Sequence, residues 1–228
     1  GRGPARATRP THGERSREAV RGRPASARAR QGTGSIGLAS RARGVARHVR
    51  GIGRDPARLQ AALARGAIDS AAESLGDGVS DADLVIFCTP VDCIVPQALS
   101  VRSRYSAGAI VTDAGSTKAG IVQALDESLP GRFVGSHPLA GSEKQGVEHA
   151  SVDLFVDRWT VVTPTARTDR RSTGRVEAFW QALGARTRQL PPEEHDRALA
   201  LTSHLPHLLA SALAGILPDD WYALSATG

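Results

Sequence analysis

Short apolar runs alternate with amphipathic stretches along most of this chain, and that alternation constrains its fold more than any other feature. Residues 84–88 (LVIFC), 109–112 (AIVT) and 159–163 (WTVVT) read as strands, with others at 45–52 (VARHVRGI) and 132–135. Between them, 56–65, 91–100 and 118–129 read as helices, the first opened by Pro56 and stopped by Gly66. Strands that are apolar throughout need cover on both faces, and intervening helices provide it. The pattern predicts an α/β fold with a doubly wound parallel sheet. After Pro191 and Pro192 the texture is helical only, and residues 193–217 stay apolar on one face. Three segments result: a tail over 1–31, an α/β domain over 32–190, and the start of a helical domain over 191–228.

Charge divides the chain in the same way. Its 228 residues carry a net +6, but residues 1–31 hold nine Arg against Glu14 and Glu18, a local +7 that leaves the remainder at −1. The tail's only large apolar residue is Val20, too little buried surface to offset ordering entropy, so it is expected to be disordered. A targeting role fits it less well, because it lacks an apolar run and an amphipathic stripe. The near-neutral body gives no support to nucleic-acid binding. No apolar stretch approaches the roughly 18 residues that span a bilayer. Cys88 and Cys93 cannot build a disulfide framework, and a reducing, cytoplasmic compartment is expected.

GTGSIG at 32–37 fits G-x-G-x-x-G, where glycines let backbone approach a pyrophosphate at a helix N-terminus. Gly32, Gly34 and Gly37 are therefore candidate cofactor-binding residues. With 24 Gly in the chain a Gly-rich linker accounts for the match equally well. A true fingerprint also follows a buried strand, yet residues 25–31 (ASARARQ) contain no Val, Ile or Leu. The first strand is thus expected to be absent. Three or four such residues would contribute roughly 5–10 kcal/mol, against about 5–15 kcal/mol for a whole domain. Further on, where an acidic residue would bind the ribose hydroxyls of NAD, residues 51–55 read GIGRD. Arg54 there favours the 2′-phosphate of NADP, with Asp55 close behind.

Three strand ends carry the remaining chemistry: CTPV at 88–91, DAGSTK at 113–118 and GSHPLAGSEK at 135–144. In an open parallel sheet, ligands bind at the carboxyl ends of strands. His137, alone, could be a turn residue; in this company it reads as facing the crevice. GAIVTDAGSTKAGIV, FVGSHPLAGSEKQGVE and PPEEHDRALALTSHLPHLLASAL resemble the prephenate dehydrogenase family, which includes arogenate dehydrogenases, and the resemblance covers residues 32–228.

The resemblance implies a Rossmann-type domain followed by an all-helical dimerisation domain, hence a homodimer acting on a small molecule. The implied reaction is NAD- or NADP-dependent oxidative decarboxylation of prephenate to 4-hydroxyphenylpyruvate, or of arogenate to tyrosine. His137 matches the catalytic histidine that takes the ring hydroxyl's proton. Ser116 matches a catalytic serine beside the nicotinamide, and Thr89, Pro90 and Val91 match a turn along the cofactor. His207 is assigned to the substrate region. His204, three residues away on the same helix face, is grouped with it as a substrate-binding candidate, although the resemblance gives His204 and His195 a more structural part. No third ligand is suitably spaced from HLPH, so no metal is expected. Lys144 reads as a solvated charge.

The sequence departs from the family at both ends. Its glycine run is shorter than GxGxIGGSIGLAL, and it stops at Gly228, before the arginines that bind substrate carboxylate in the family. A partial copy of the dehydrogenase is expected. A β-hydroxyacid dehydrogenase is the enzymatic alternative, but it would need a Lys in 191–228, where there is none. An inactive fragment with an anion-binding tail is the other, and a tail without aromatic residues could bind only electrostatically.

Overall fold

The computed structural model describes residues 25–27, 31–141 and 146–216. Eight strands among them lie in one sheet: β1 (Ala25–Ala27), β2 (Val49–Ile52), β3 (Ser70–Ala72), β4 (Leu84–Phe87), β5 (Ile110–Asp113), β6 (Phe133–Pro138), β7 (Trp159–Thr163) and β8 (Arg186–Gln189). The helices are α1 (Gln31–Ala42), α2 (Pro56–Ala64), α3 (Leu75–Val79), α4 (Val91–Ser100), α5 (Ala119–Ser128), α6 (Arg170–Ala182), α7 (Pro192–Leu199) and α8 (Leu205–Ala214). Strand order is β3-β2-β1-β4-β5-β6-β7-β8. The run 3-2-1-4-5-6 is that of a doubly wound nucleotide-binding sheet, whose order reverses between β1 and β4.

The sheet's middle shows why apolar runs were needed. Val85, Phe87, Val111 and Phe133 join one core, while Ile86, Ile110 and Val134 join the core on the opposite face. Alternation with period two sends neighbours to opposite sides, and both sides are covered. Ile94 of α4 and Ile121 and Leu125 of α5 close the first face; Ile36 of α1 and Phe179 and Trp180 of α6 close the second.

Three expectations change. The first strand is present: Ala25–Ala27 forms β1, paired parallel with β2 on one side and β4 on the other. Those three residues therefore leave the expected tail, and residues 1–24 lie outside the described residues. Backbone pairing on both edges defines this strand. The sheet is also not wholly parallel, because β7 runs antiparallel to β6 before β8 resumes parallel pairing with β7. Finally, the helix after Pro191 is interrupted by a π-helical turn at Ala200–His204. Among the described residues, no helix is long and apolar enough to cross a membrane.

Candidate active site

The carboxyl ends of β4, β5 and β6 and the start of α1 surround a cleft of about 280 Å³. Gly32, Thr89, Pro90, Val91, Ser116 and His137 all line it. A second hollow of about 450 Å³ shares Thr89 and carries Arg54 and Glu73. The two hollows therefore adjoin at Thr89, one carrying Arg54 after the end of β2 and the other carrying His137, on the edge of the sheet where doubly wound folds bind dinucleotides.

The glycines divide by role. Gly32, Gly34 and Gly37 lie within α1, not in a loop before it. Among the described residues, a Cβ on Gly32 would meet nothing within 4 Å, which leaves space there at the helix start. Beside it, the Thr33 hydroxyl is buried and has no hydrogen-bond partner among the described residues. An open helix N-terminus with an unsatisfied hydroxyl fits a phosphate of a bound dinucleotide. Gly34 instead packs on Val147 and Ala150, where an added Cβ would come within 3.0 Å. Gly37 lies against the backbone of Ala67, and an added Cβ would overlap its carbonyl oxygen. Those two glycines serve close packing.

Asp55 is engaged elsewhere: as N-cap of α2 it accepts from the Ala57 and Arg58 amides. Arg54 stays exposed at the rim of the second hollow.

His137 stands near the end of β6, half-buried. Its Nδ1 lies 3.0 Å from Nε2 of His195, which is fully buried on α7. Nδ1 of His195 lies 2.7 Å from a carboxylate oxygen of Asp196. The Asp196 carboxylate also accepts from the backbone amides of Lys118 and Ala119, at 2.7 and 2.9 Å, and so caps α5. Burial of the imidazole, reinforced by the nearby Lys118 charge and, once they are protonated, by His195 and His204, outweighs the opposing Asp196 carboxylate and pushes the pKa of His137 down to about 3. Burial likewise lowers that of His195, against the opposing pull of Asp196. Burial raises the Asp196 carboxyl, but the Ala119 amide, the His195 ring and the Lys118 amide outweigh it and leave it below the usual range. Both histidines are neutral at neutral pH.

Beneath this row lies a buried ion pair that sequence reasoning did not assign. Lys118 and Asp113 are wholly buried and bonded to each other. Asp113 also accepts from the Gly115 amide at 2.8 Å, which shapes the turn carrying Ser116. Lys118 donates to the Ser136 carbonyl at 3.1 Å, tying that turn to the strand of His137. Burial lowers the lysine's pKa, and Asp113 opposes that shift. The spacing D-x4-K was visible in the sequence, but nothing local to it announced burial.

His204 falls in the π-helical turn, near enough for its charge to weigh on His137, whereas His207 is exposed on α8. Lys144 lies outside the described residues. Among these residues no group of three or more His, Cys, Asp or Glu is placed to hold a metal ion.

The sheet order and the cleft at the strand ends define the fold as that of a nucleotide-binding protein, with helices following Pro191. The chain belongs to the prephenate dehydrogenase family: residues 36–189 match the model of the prephenate dehydrogenase nucleotide-binding domain, and 191–222 that of its dimerization domain. Among curated relatives, the cyclohexadienyl dehydrogenase of Zymomonas mobilis is 36% identical over 150 residues, 65% of this chain and 51% of that one. The Bacillus subtilis prephenate dehydrogenase is 36% identical over 183 residues, 79% and 49% of the respective chains. The chain spans about half the length of these curated relatives. The Aquifex aeolicus prephenate dehydrogenase, solved with hydroxyphenyl propionate and NAD+, superposes with a TM-score of 0.81 at 32% identity, covering 86% of this chain and 69% of that one. Synechocystis arogenate dehydrogenase gives 0.76 at 30% identity, covering 90% and 73%.

Proposed function

We propose that the protein carries out the NAD(P)-dependent oxidative decarboxylation of prephenate to 4-hydroxyphenylpyruvate, with His137 as the base. The carrying observation is the convergence of His137, Ser116 and Thr89–Val91 on one cleft, which adjoins at Thr89 the hollow carrying Arg54. When bound there, the dinucleotide's nicotinamide ring supplies the hydride acceptor. His137 is held neutral, so it can take the ring hydroxyl's proton as that carbon becomes a carbonyl. Loss of carbon dioxide then makes the ring aromatic and leaves a phenolate, to which the imidazolium returns the proton. Aromatisation supplies the driving force, and the residues orient the ring and hold one proton. In this reading Ser116, which lines the same cleft, hydrogen-bonds the same hydroxyl.

Arogenate is the second reading, favoured by the likeness to the Synechocystis arogenate dehydrogenase. Arg54, with Asp55 committed to its helix cap, supports NADP over NAD. The likeness of 191–222 to a dimerization domain supports a homodimer. The likeness to the Bacillus subtilis prephenate dehydrogenase supports a cytoplasmic setting. The test is absorbance at 340 nm with prephenate and arogenate, each with NAD and NADP. His137→Asn is expected to lower kcat by roughly 10²–10⁴-fold. Turnover unchanged by that substitution, or no reduced cofactor with either substrate, overturns the reading.

A further inference from the structure

The hydrogen-bond row behind His137 leads away from the cleft and ends at a helix cap. It involves residues 58 and 59 positions further along the chain. Its polarity follows from the end whose chemistry is fixed. The Asp196 carboxylate can only accept, and its oxygens already take two backbone N–H groups. Nδ1 of His195 must therefore carry the hydrogen in the 2.7 Å bond to Asp196. A neutral His195 then has only a lone pair at Nε2, and full burial keeps it neutral. The 3.0 Å bond to His137 requires the hydrogen on Nδ1 of His137. That leaves Nε2 of His137 as the lone-pair nitrogen.

We propose that Asp196 and His195 are positioning residues that lock His137 in the Nδ1–H tautomer, presenting its Nε2 lone pair as the proton acceptor. The inference rests on the reading of His137 as base and adds what sets that base. Neutral imidazole free in water favours the opposite tautomer, with hydrogen on Nε2, which could not accept a proton from a hydroxyl at that atom. The two rings meet edge to face, 5.2 Å between centroids and 67° between planes, so the bond also fixes the ring's rotation. When His137 takes the proton, its Nδ1–H points at a lone pair whose direction Asp196 holds. The logic is that of a base oriented by a third group. It also couples the two domains, because α7 supplies both residues while their partners lie on β6 and α5. Any shift of α7 away from α5 would release the base.

The test is nitrogen-15 NMR of the full chain labelled at histidine, reading each ring's tautomer from long-range proton–nitrogen correlations at neutral pH. His137 is expected as Nδ1–H in the unsubstituted protein. His195→Phe, which keeps an aromatic ring but removes the acceptor, is expected to move His137 toward Nε2–H. The same variant should lower kcat roughly 10²-fold, with KM changed less than about threefold. Asp196→Asn should give a partial shift and a smaller loss, and it carries the test if His195→Phe does not fold. An Nε2–H tautomer in the unsubstituted protein overturns the proposal, as does an unmoved tautomer in a folded variant. Should His137→Asn retain full turnover while the tautomer reads as expected, the base assignment fails and the lock stands. Should His137→Asn abolish turnover while the tautomer is wrong, the base assignment stands and the lock fails.

Discussion

At the scale of residues, this site is organised around groups that burial holds away from their ordinary protonation. His137 is the clearest case, its pKa depressed from 6.5 to about 3 chiefly by burial. The sign of the consequence follows from linkage. Between those values the unfolded chain binds a proton that the folded chain refuses, so the unfolded state gains and stability falls as pH drops. Above pH 6.5 the full stability is present. Urea unfolding between pH 6 and 4 should show a loss of roughly 1.4 kcal/mol per pH unit from this group, and His137→Asn should reduce the slope by about that amount. An unchanged slope would show that His137 titrates normally in the folded protein. Lys118 and Asp113 illustrate the other outcome of burial, two opposite charges that stay compatible with the interior because each satisfies the other.

Elements show a different kind of constraint, in which a small residue is needed for what it lets approach. α1 crosses beside the loop after α2, and Gly37 is where the backbones touch. Gly37→Ala should cost about 1–3 kcal/mol or more through overpacking, measured by chemical denaturation. Gly32→Ala, with no described residue within 4 Å of its would-be Cβ, should leave stability within about 0.5 kcal/mol yet weaken dinucleotide binding roughly tenfold by titration. Equal effects from the two substitutions would mean that the glycines do not divide the roles in this way. α4 and β7 form over the residues their patterns predict. β3 (SAA) and β8 (RTRQ) escape sequence reading because neither carries an apolar run, and α6 because it opens on the polar stretch RRSTGR. β8 is largely exposed, and pairing with β7 is what makes it a strand.

For the whole molecule, the feature that stands out is the apolar surface beyond α7. Leu201, Leu208 and Leu213 are each more than 60% exposed, and Leu205, Leu209 and Ile216 extend the stripe. So much exposed apolar side chain along one helical run is characteristic of a surface that another chain or domain covers. The prediction is a dimer in solution, read by light scattering behind size exclusion, with a melting temperature that rises with protein concentration. Leu208→Glu combined with Leu209→Glu should shift the protein to monomer and abolish the concentration dependence. A monomer before any substitution would refute this.

The sequence alone determined the class of fold and most of the cleft, because both rest on local signals. Apolar runs of strand length demand cover on both faces, and the residues just after such runs necessarily emerge at one edge of the sheet. Thr89, Ser116 and His137 were legible for that reason. Tertiary structure decided what depends on partners distant in the chain. Ala25–Ala27 becomes a central strand only because two neighbouring strands offer backbone hydrogen bonds on both sides. Gly34 and Gly37 acquire packing roles from Val147, Ala150 and Ala67. His195 and Asp196 gain their relation to His137 only once α7 docks on α5, since a hydrogen bond is specified by position in space and leaves no periodic trace in the sequence.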